Sequence, residues 1–352
     1  MQDLKGCPQN PDRHAEGDVW IHVHMVVEAM VSLPAWSELS EANRRILFLA
    51  ALLHDVAKPA CTRIESDGHI SARGHSWRGA VRTRTILWNL GMPFAEREEI
   101  CSIIRHHLLP FFLADSEDPR RLAIEASHTT RCDWLGLMAE ADATGRISSD
   151  PDRLFRQIAR FRQIASELKC LEQPYPFRDE AERHLFFHPE RKEVKSACEV
   201  ILLCGLPGAG KDHWVQQHHA NWPMIALDEL KHELHLPPHD PKGEAMTRAR
   251  ELARTYLAQG RSFIWNATNL SRHGRADCVK LFHAQGARVR IVYVEVPPDK
   301  LFAQNRSRKR RVPEKAIERM LDRWEVPTAV EAEQVEYVVE DADSGMQAAS
   351  FS

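Results

Sequence analysis

The chain has 352 residues, 43% of them hydrophobic and 28% charged, with 47 Lys and Arg against 50 Asp and Glu and a formal charge of −3. That length suits two domains, each able to bury its own core, and no apolar run approaches the roughly 20 residues of a membrane helix. Eight scattered cysteines without a C-x-x-C pair argue against a disulfide framework or a zinc ribbon, and Met1-Gln2-Asp3-Leu4-Lys5-Gly6 lacks the apolar core of a signal peptide, so a cytoplasmic location is expected.

From Asp18 to about Cys170 the pattern is helical almost throughout, interrupted at Pro34, Gly68, Gly74, Gly91 and Pro110, with no convincing strand. Nineteen histidines are the unusual count. His54-Asp55 closes the apolar helical run Arg44–Leu53, and a helix end can present such a pair to one metal ion, while further ligands must come from distant segments. His22 upstream and Asp142 downstream can supply them, with His75 and the pair His106-His107 between; His24 competes with His22. An imidazole and carboxylate shell favours a transition metal such as Ni, Co, Cu, Mn or Zn, which lowers the pKa of bound water and polarises a phosphoryl oxygen. Lys58, just past the pair, can bind a substrate phosphate or neutralise Asp55, and Arg78 and Arg105 are weaker candidates for the same phosphate.

Residues 172–196 turn to proline and charge and read as a linker or bridging segment. Beyond it the texture alternates strand, loop and helix, with strands expected at Val200–Cys204, Phe263–Trp265 and Arg290–Val296, the signature of a parallel sheet covered by helices. Gly205-Leu206-Pro207-Gly208-Ala209-Gly210-Lys211 follows the first strand and precedes a helical segment. Glycines there let backbone N–H groups turn inward on a polyphosphate, the helix adds its N-terminal dipole, and the lysine reaches the outer phosphates. The expected nucleotide-binding residues are Gly205, Gly208, Ala209, Gly210, Lys211, Asp212 and His213. Asp212 stands where Ser or Thr usually holds Mg²⁺, so either its carboxylate reaches the metal, directly or through water, or the nucleotide holds the ion. Asp228, after the apolar run Pro223–Leu227, is placed to accept a hydroxyl proton or to cap the next helix, and the two roles are compatible. The densest positive charge, Arg306–Arg311, reads as a lid over transferring phosphate or as a solvated helix face. Residues 341–352 are expected to be a flexible tail.

The loop Gly205–Lys211, Leu227-Asp228-Glu229-Leu230, Asn266-Ala267-Thr268-Asn269-Leu270 and the basic run Arg306–Pro313 together resemble the 5′-hydroxyl polynucleotide kinases. The resemblance implies an NTP such as ATP with Mg²⁺, Asp228 as base, Lys211, Arg306 and Arg310 on the phosphates, and nucleic-acid contacts from Lys231, Thr268, Asn269 and Arg275. Three positions depart from the family pattern: Asp212, Lys231 in place of Arg, and Asn266 in place of Asp.

The series His22, His54-Asp55, His75, His106-His107 and Asp142 resembles the HD-superfamily metallophosphohydrolases, and the stretches Glu16–Trp20 and Gly74–Ala80 look like the HD domains of bacterial tRNA nucleotidyltransferases. That resemblance implies a first metal on His22, His54, Asp55 and Asp142, with His75, His106 and His107 available to a second. The expected architecture is an N-terminal all-α HD metallophosphohydrolase domain (1–171), the bridging segment, and a C-terminal α/β P-loop kinase domain with a parallel sheet (197–340). This combination resembles the bacterial HD-Pnk proteins, which implies healing of RNA, or DNA, ends ahead of an RNA ligase and without a membrane partner. Two rivals are a small-molecule kinase fused to a nucleotide phosphohydrolase, and a non-catalytic nucleotide sensor.

Overall fold

The structure, a computed structural model, describes residues 1–189, 198–237, 240, 243–341 and 344–349. The chain separates into two compact units, Met1–Pro176 and Phe177–Ser352. Among the described residues no helix is long and apolar enough to cross a membrane, and all eight cysteines are buried and free of disulfides.

The first unit is helical: α1 (Val19–Ser32), α2 (Glu41–Leu53), α3 (Lys58–Cys61), α4 (His75–Asn89), α5 (Phe94–His106), α6 (Leu109–Phe112), α7 (Pro119–Ser127), α8 (Cys132–Thr144) and α9 (Pro151–Glu167). Short polar residues start the main helices by accepting otherwise unsatisfied N–H groups: Asp18 caps α1 through Ile21, Ser40 caps α2 through Asn43, and Asp150, followed by Pro151, caps α9 through Arg153. The core is built from Val23, Val26 and Met30 of α1, Leu47 and Ala50 of α2, Ile100 and Ile104 of α5, and Leu135 and Met138 of α8. Gly145 ends α8, where a Cβ would lie 2.5 Å from the Val26 amide nitrogen. Only glycine permits that approach, which brings the end of α8 against α1. One correction applies to the helical reading: Arg63–Ile64 (β1) and Ile70–Ser71 (β2) pair as a small antiparallel hairpin, whose two-residue arms are too short to leave an alternating pattern.

The segment read as a bridge is divided. Residues 172–176 belong to the first unit, whereas α10 (Glu180–Phe187) belongs to the second, tied there by Arg183 to the Ala329 carbonyl and by His188 to the Val330 carbonyl; residues 190–196 lie outside the described residues. The second unit continues with β3 (Glu199–Cys204), α11 (Lys211–His218), β4 (Met224–Ala226), α12 (Leu227–Glu233), α13 (Glu244–Ala258), β5 (Phe263–Asn266), α14 (Arg272–His283), β6 (Arg288–Glu295), α15 (Pro298–Ser307), α16 (Glu314–Leu321), β7 (Gln334–Asp341) and β8 (Ser344–Ala349). The strand order is β4-β5-β3-β6-β7-β8, parallel from β4 to β7 with β8 antiparallel to β7. Val200–Cys204 is fully buried, as a central parallel strand covered on both faces must be. Two strands were not read from sequence. β7 alternates Val335, Tyr337 and Val339 inward, and β8 corrects the flexible tail, because the open edge of β7 offers backbone groups for pairing. Residues 350–352 of that tail lie outside the described residues.

Candidate functional site

In the first unit, four imidazoles are fixed in the same way. His22 Nδ1 donates to the Gly145 carbonyl at 3.1 Å, His54 Nδ1 to Ala51 at 2.8 Å, His75 Nδ1 to Ala72 at 2.7 Å and His107 Nδ1 to Ile104 at 2.7 Å. A carbonyl can only accept, so each Nδ1 carries a proton, and each ring in its neutral form presents an Nε2 lone pair. These lone pairs converge on two buried carboxylates. His22 Nε2 lies 3.2 Å from Asp142 and 3.6 Å from Asp55, His54 Nε2 3.2 Å from Asp55, and His75 Nε2 3.4 Å from Asp55. His75 and His107 face each other Nε2 to Nε2 at 3.4 Å.

Burial lowers the pKa of His75, and that of His107 to about 3, so both rings are neutral near pH 7. Burial opposes charge on His54 as well, but the Asp55 carboxylate outweighs it and raises the pKa. Asp55 is held well below the usual carboxylate range despite burial, by His54 and Lys58, and Asp142 likewise by Arg146 and His22. The buried His22 Nε2, His54 Nε2, Asp55 Oδ1 and Asp142 Oδ2 have no hydrogen-bond partner, while Asp55 Oδ2 has the Lys58 ammonium as its ion-pair partner. Facing lone pairs and orphaned carboxylate oxygens repel unless a cation lies among them, so the donor set fits a metal. His22, His54 and Asp55 form one group and Asp55, His75 and His107 another, the donor atoms within each lying within 4.8 Å. Asp55 is common to both.

Several expectations are refined here. His24 is exposed against Trp20, so His22 alone of the two points inward. His106 is not brought into the cluster: successive helical residues diverge by about 100°, and His107 turns into the core while His106 stays half-buried. Lys58 pairs with Asp55 at 2.7 Å and donates to Gln9 at 2.6 Å, while also lining a cavity of about 570 Å³ that reaches Asp55, His75, His107 and Asp142. Arg78 and Arg105 are exposed and do not line that cavity; Arg13, Arg73, Arg146 and Arg153 do. Arg146 pairs with Asp142, an i,i+4 relation readable from sequence. Arg13 and Arg73 are exposed at the mouth and make no ion pair among the described residues. Glu16 was also missed. It accepts from His14 at 2.8 Å and from the Ile147 amide at 2.8 Å, and lies 2.9 Å from His22 Nδ1, holding the His22 ring from behind.

In the second unit, the loop after β3 has Gly205, Gly208 and Gly210 at φ of 144°, 87° and 102°. A Cβ at Gly208 would lie 2.7 Å from the Leu301 carbonyl oxygen. Ala209 is buried beneath the loop and His213 is exposed on α11. Lys211 Nζ folds back to donate to the Gly205 and Leu206 carbonyls at 2.8 and 2.9 Å, and its burial lowers the pKa to about 8. Asp212 accepts from Asn266 Nδ2 at 2.8 Å, so two of the departures from the kinase pattern contact each other.

Asp228 is exposed where β4 gives way to α12, 3.7 Å from Lys231 Nζ, and it does not cap the helix. In the basic run Arg306 pairs with Glu314 at 3.4 Å and Arg310 is exposed, whereas Arg308 reaches Asp212 at 3.5 Å. The buried Asn305 bonds both backbone groups of Val312 and closes the loop that carries Arg308.

Two expected nucleic-acid contacts are corrected. Arg275 is fully buried, forked onto Glu331 at 2.6 and 2.9 Å and bonded to the Asn269 and Glu325 carbonyls. Asn269 spends its amide on the Leu203 carbonyl at 2.6 Å. Both brace the end of β3, Asn269 through Leu203 and Arg275 through Asn269 and Cys204. Thr268 does the same through its carbonyl, which accepts from Gly205 N at 3.0 Å.

Comparison with known proteins agrees with this geometry. The HD domain family matches residues 19–138, and an AAA domain family matches residues 200–327. The chain joins an HD domain to a P-loop, kinase-like AAA domain. Among curated proteins it is 32% identical over 126 residues to a bifunctional uridylyltransferase/uridylyl-removing enzyme of Ruegeria pomeroyi, covering 34% of this chain and 13% of that one. It is 30% identical over 156 residues to a multifunctional CCA protein of Xanthomonas axonopodis pv. citri, covering 42% of this chain and 35% of that one. The matched regions therefore span a minor part of each relative's length.

Proposed function

We propose that this protein is a two-site enzyme that heals nucleic-acid ends, with RNA as substrate. The HD domain removes 2′,3′-cyclic phosphate and 2′- or 3′-phosphate, and the P-loop domain transfers the γ-phosphate of an NTP, with Mg²⁺, to a 5′-hydroxyl. The observation that carries the reading is the convergence of four imidazole Nε2 atoms on Asp55 and Asp142, in a chain whose other domain holds a phosphate loop closed by Lys211. The kinship to a protein named for CCA activity supports a nucleic-acid substrate.

A transition metal bound there supplies an activated water and polarises the phosphoryl oxygen. His22, His54, Asp55 and Asp142 would hold a first metal ion, with His75 and His107 available to a second. Lys58 and Arg146 balance the carboxylates, and Arg13 and Arg73 attract the phosphate at the mouth. In the kinase domain Lys211 leaves the loop carbonyls for the nucleotide phosphates. Asp228 accepts the 5′-hydroxyl proton, Lys231 holds the nucleic-acid phosphate, and Arg308, with Arg306 and Arg310 beside it, spreads over the transferring group. Products with a 5′-phosphate and a free 3′-hydroxyl suit a downstream ligase, and a cytoplasmic setting fits the reduced cysteines.

The test is an RNA oligonucleotide bearing a 5′-hydroxyl and a 2′,3′-cyclic phosphate, incubated with protein, NTP, Mg²⁺ and a panel of Ni, Co, Cu, Mn and Zn. Both ends should change, the 3′ end failing in Asp55→Ala and the 5′ end in Lys211→Ala. Turnover of free nucleosides or nucleotides with both RNA ends untouched would replace this reading with a small-molecule one.

A further inference from the structure

Phe112 ends α6 with 49% of its surface exposed, whereas its neighbour Phe111 is buried and carries Arg146 over its ring at 5.1 Å. Both line the cavity that reaches the metal-binding side chains. The apolar cluster beneath, Phe111, Ala139, Ala143 and Ile158, is completed by Leu108 and Leu154 without Phe112. Phe112 is therefore not among the residues that complete this cluster, and about half of its surface is left to meet whatever enters the cavity.

The wall on which Phe112 stands combines three chemistries. Leu108 and Leu154 continue the apolar surface, Gln157 and Arg153, both anchored on Asp115, add polar groups, and the buried carboxylates and imidazoles would hold a metal that takes phosphate. A hydrocarbon chain would want a longer groove and no arginines. A flat heterocycle joined to a phosphate satisfies all three, and the volume of about 570 Å³ lies within the roughly 300–1,000 Å³ of small-ligand sites. We infer that Phe112 is a stacking platform for the nucleobase of the terminal nucleotide whose phosphate enters the metal cluster. This rests on the phosphohydrolase reading of the same site and adds a contact that distinguishes a nucleotide end from a bare sugar phosphate.

The experiment uses metal-loaded full-length protein and two oligonucleotides with identical 3′-phosphates, one ending in an ordinary nucleotide and the other in an abasic residue. Wild-type protein should show a KM about 10- to 100-fold lower for the base-bearing end, the range that aromatic stacking on one base provides. In Phe112→Ala that preference should collapse, and Phe112→Trp should restore it. Leu90→Ala, an exposed apolar residue that does not line the cavity, should keep it. A 2-aminopurine at the terminal position should be quenched on binding to wild type and much less on binding to Phe112→Ala. Equal KM for the two ends in wild type, or a preference that survives Phe112→Ala, overturns the platform. Hydrolysis of neither end by wild type would overturn the phosphohydrolase reading, and the platform with it.

Discussion

Arg308 places a guanidinium nitrogen 3.5 Å from a carboxylate oxygen of Asp212, the residue that follows the loop lysine. Among the described residues it is the arginine of the basic run that pairs with the loop, since Arg306 and Arg311 both turn to Glu314. An ion pair so exposed contributes at most about 1 kcal/mol to stability, so under the proposed kinase reading its loss should show in turnover rather than in folding. Arg308→Ala should lower kinase kcat by about 100-fold or more with Tm nearly unchanged, and Arg306→Ala should cost less. Steady-state phosphorylation of a 5′-hydroxyl oligonucleotide, with thermal melts alongside, decides the order.

Lys211 titrates near pH 8 because burial disfavours its charge. Nucleotide phosphates favour the ammonium and raise that value. Binding at a pH about one unit above it should therefore take up close to one proton, and affinity should weaken as pH rises through this range. Calorimetry of NTP binding in buffers of differing ionisation enthalpy measures the uptake. Its absence across that range would show that the lysine is already charged in the free protein.

Glu16 touches no expected metal directly but lies 2.9 Å from the outward nitrogen of His22. Removing a partner that orients a ligating imidazole typically weakens metal affinity by about 10- to 100-fold. Glu16→Ala should do so while Glu16→Gln, which keeps an accepting oxygen, loses less. Titration of apo-protein with Ni²⁺ or Mn²⁺ checks this without an activity assay.

His106→Ala should leave metal content after dialysis unchanged, whereas His107→Ala should lower it, because only His107 has its donor nitrogen in the cluster. Elemental analysis of the two variants, prepared identically, separates them. Equal loss from both would mean that the end of α5 presents the pair together.

Arg275→Ala should destabilise the second unit by about 3–5 kcal/mol, since it strands the buried carboxylate of Glu331. Urea unfolding measures the loss. A variant of unchanged stability with a raised KM for RNA would return Arg275 to the substrate surface.

Much of the chemistry was legible because it is local. The glycine spacing of 205–210, the adjacency of His54 and Asp55, and the strand-to-helix placement of Asp228 each follow from a few consecutive residues. So did the central strands, whose unbroken apolar runs mark burial on both faces. The edge strands β7 and β8 and the hairpin β1–β2 escaped because their patterns are short or mixed with charge.

The sequence by itself determined two phosphate-directed domains and most of the residue types that serve them, because such chemistry requires particular side chains at fixed short spacings. His22 over His24 was already implied by the family resemblance; only the tertiary structure decided between neighbours of equal chemistry such as His107 over His106, and named Arg308 as the arginine at the loop. It also turned Asn269 and Arg275 from substrate contacts into braces. Those choices depend on partners far along the chain, as in the fork from Arg275 to Glu331, and on which face of a helix meets the core. Local spacing carries no record of either.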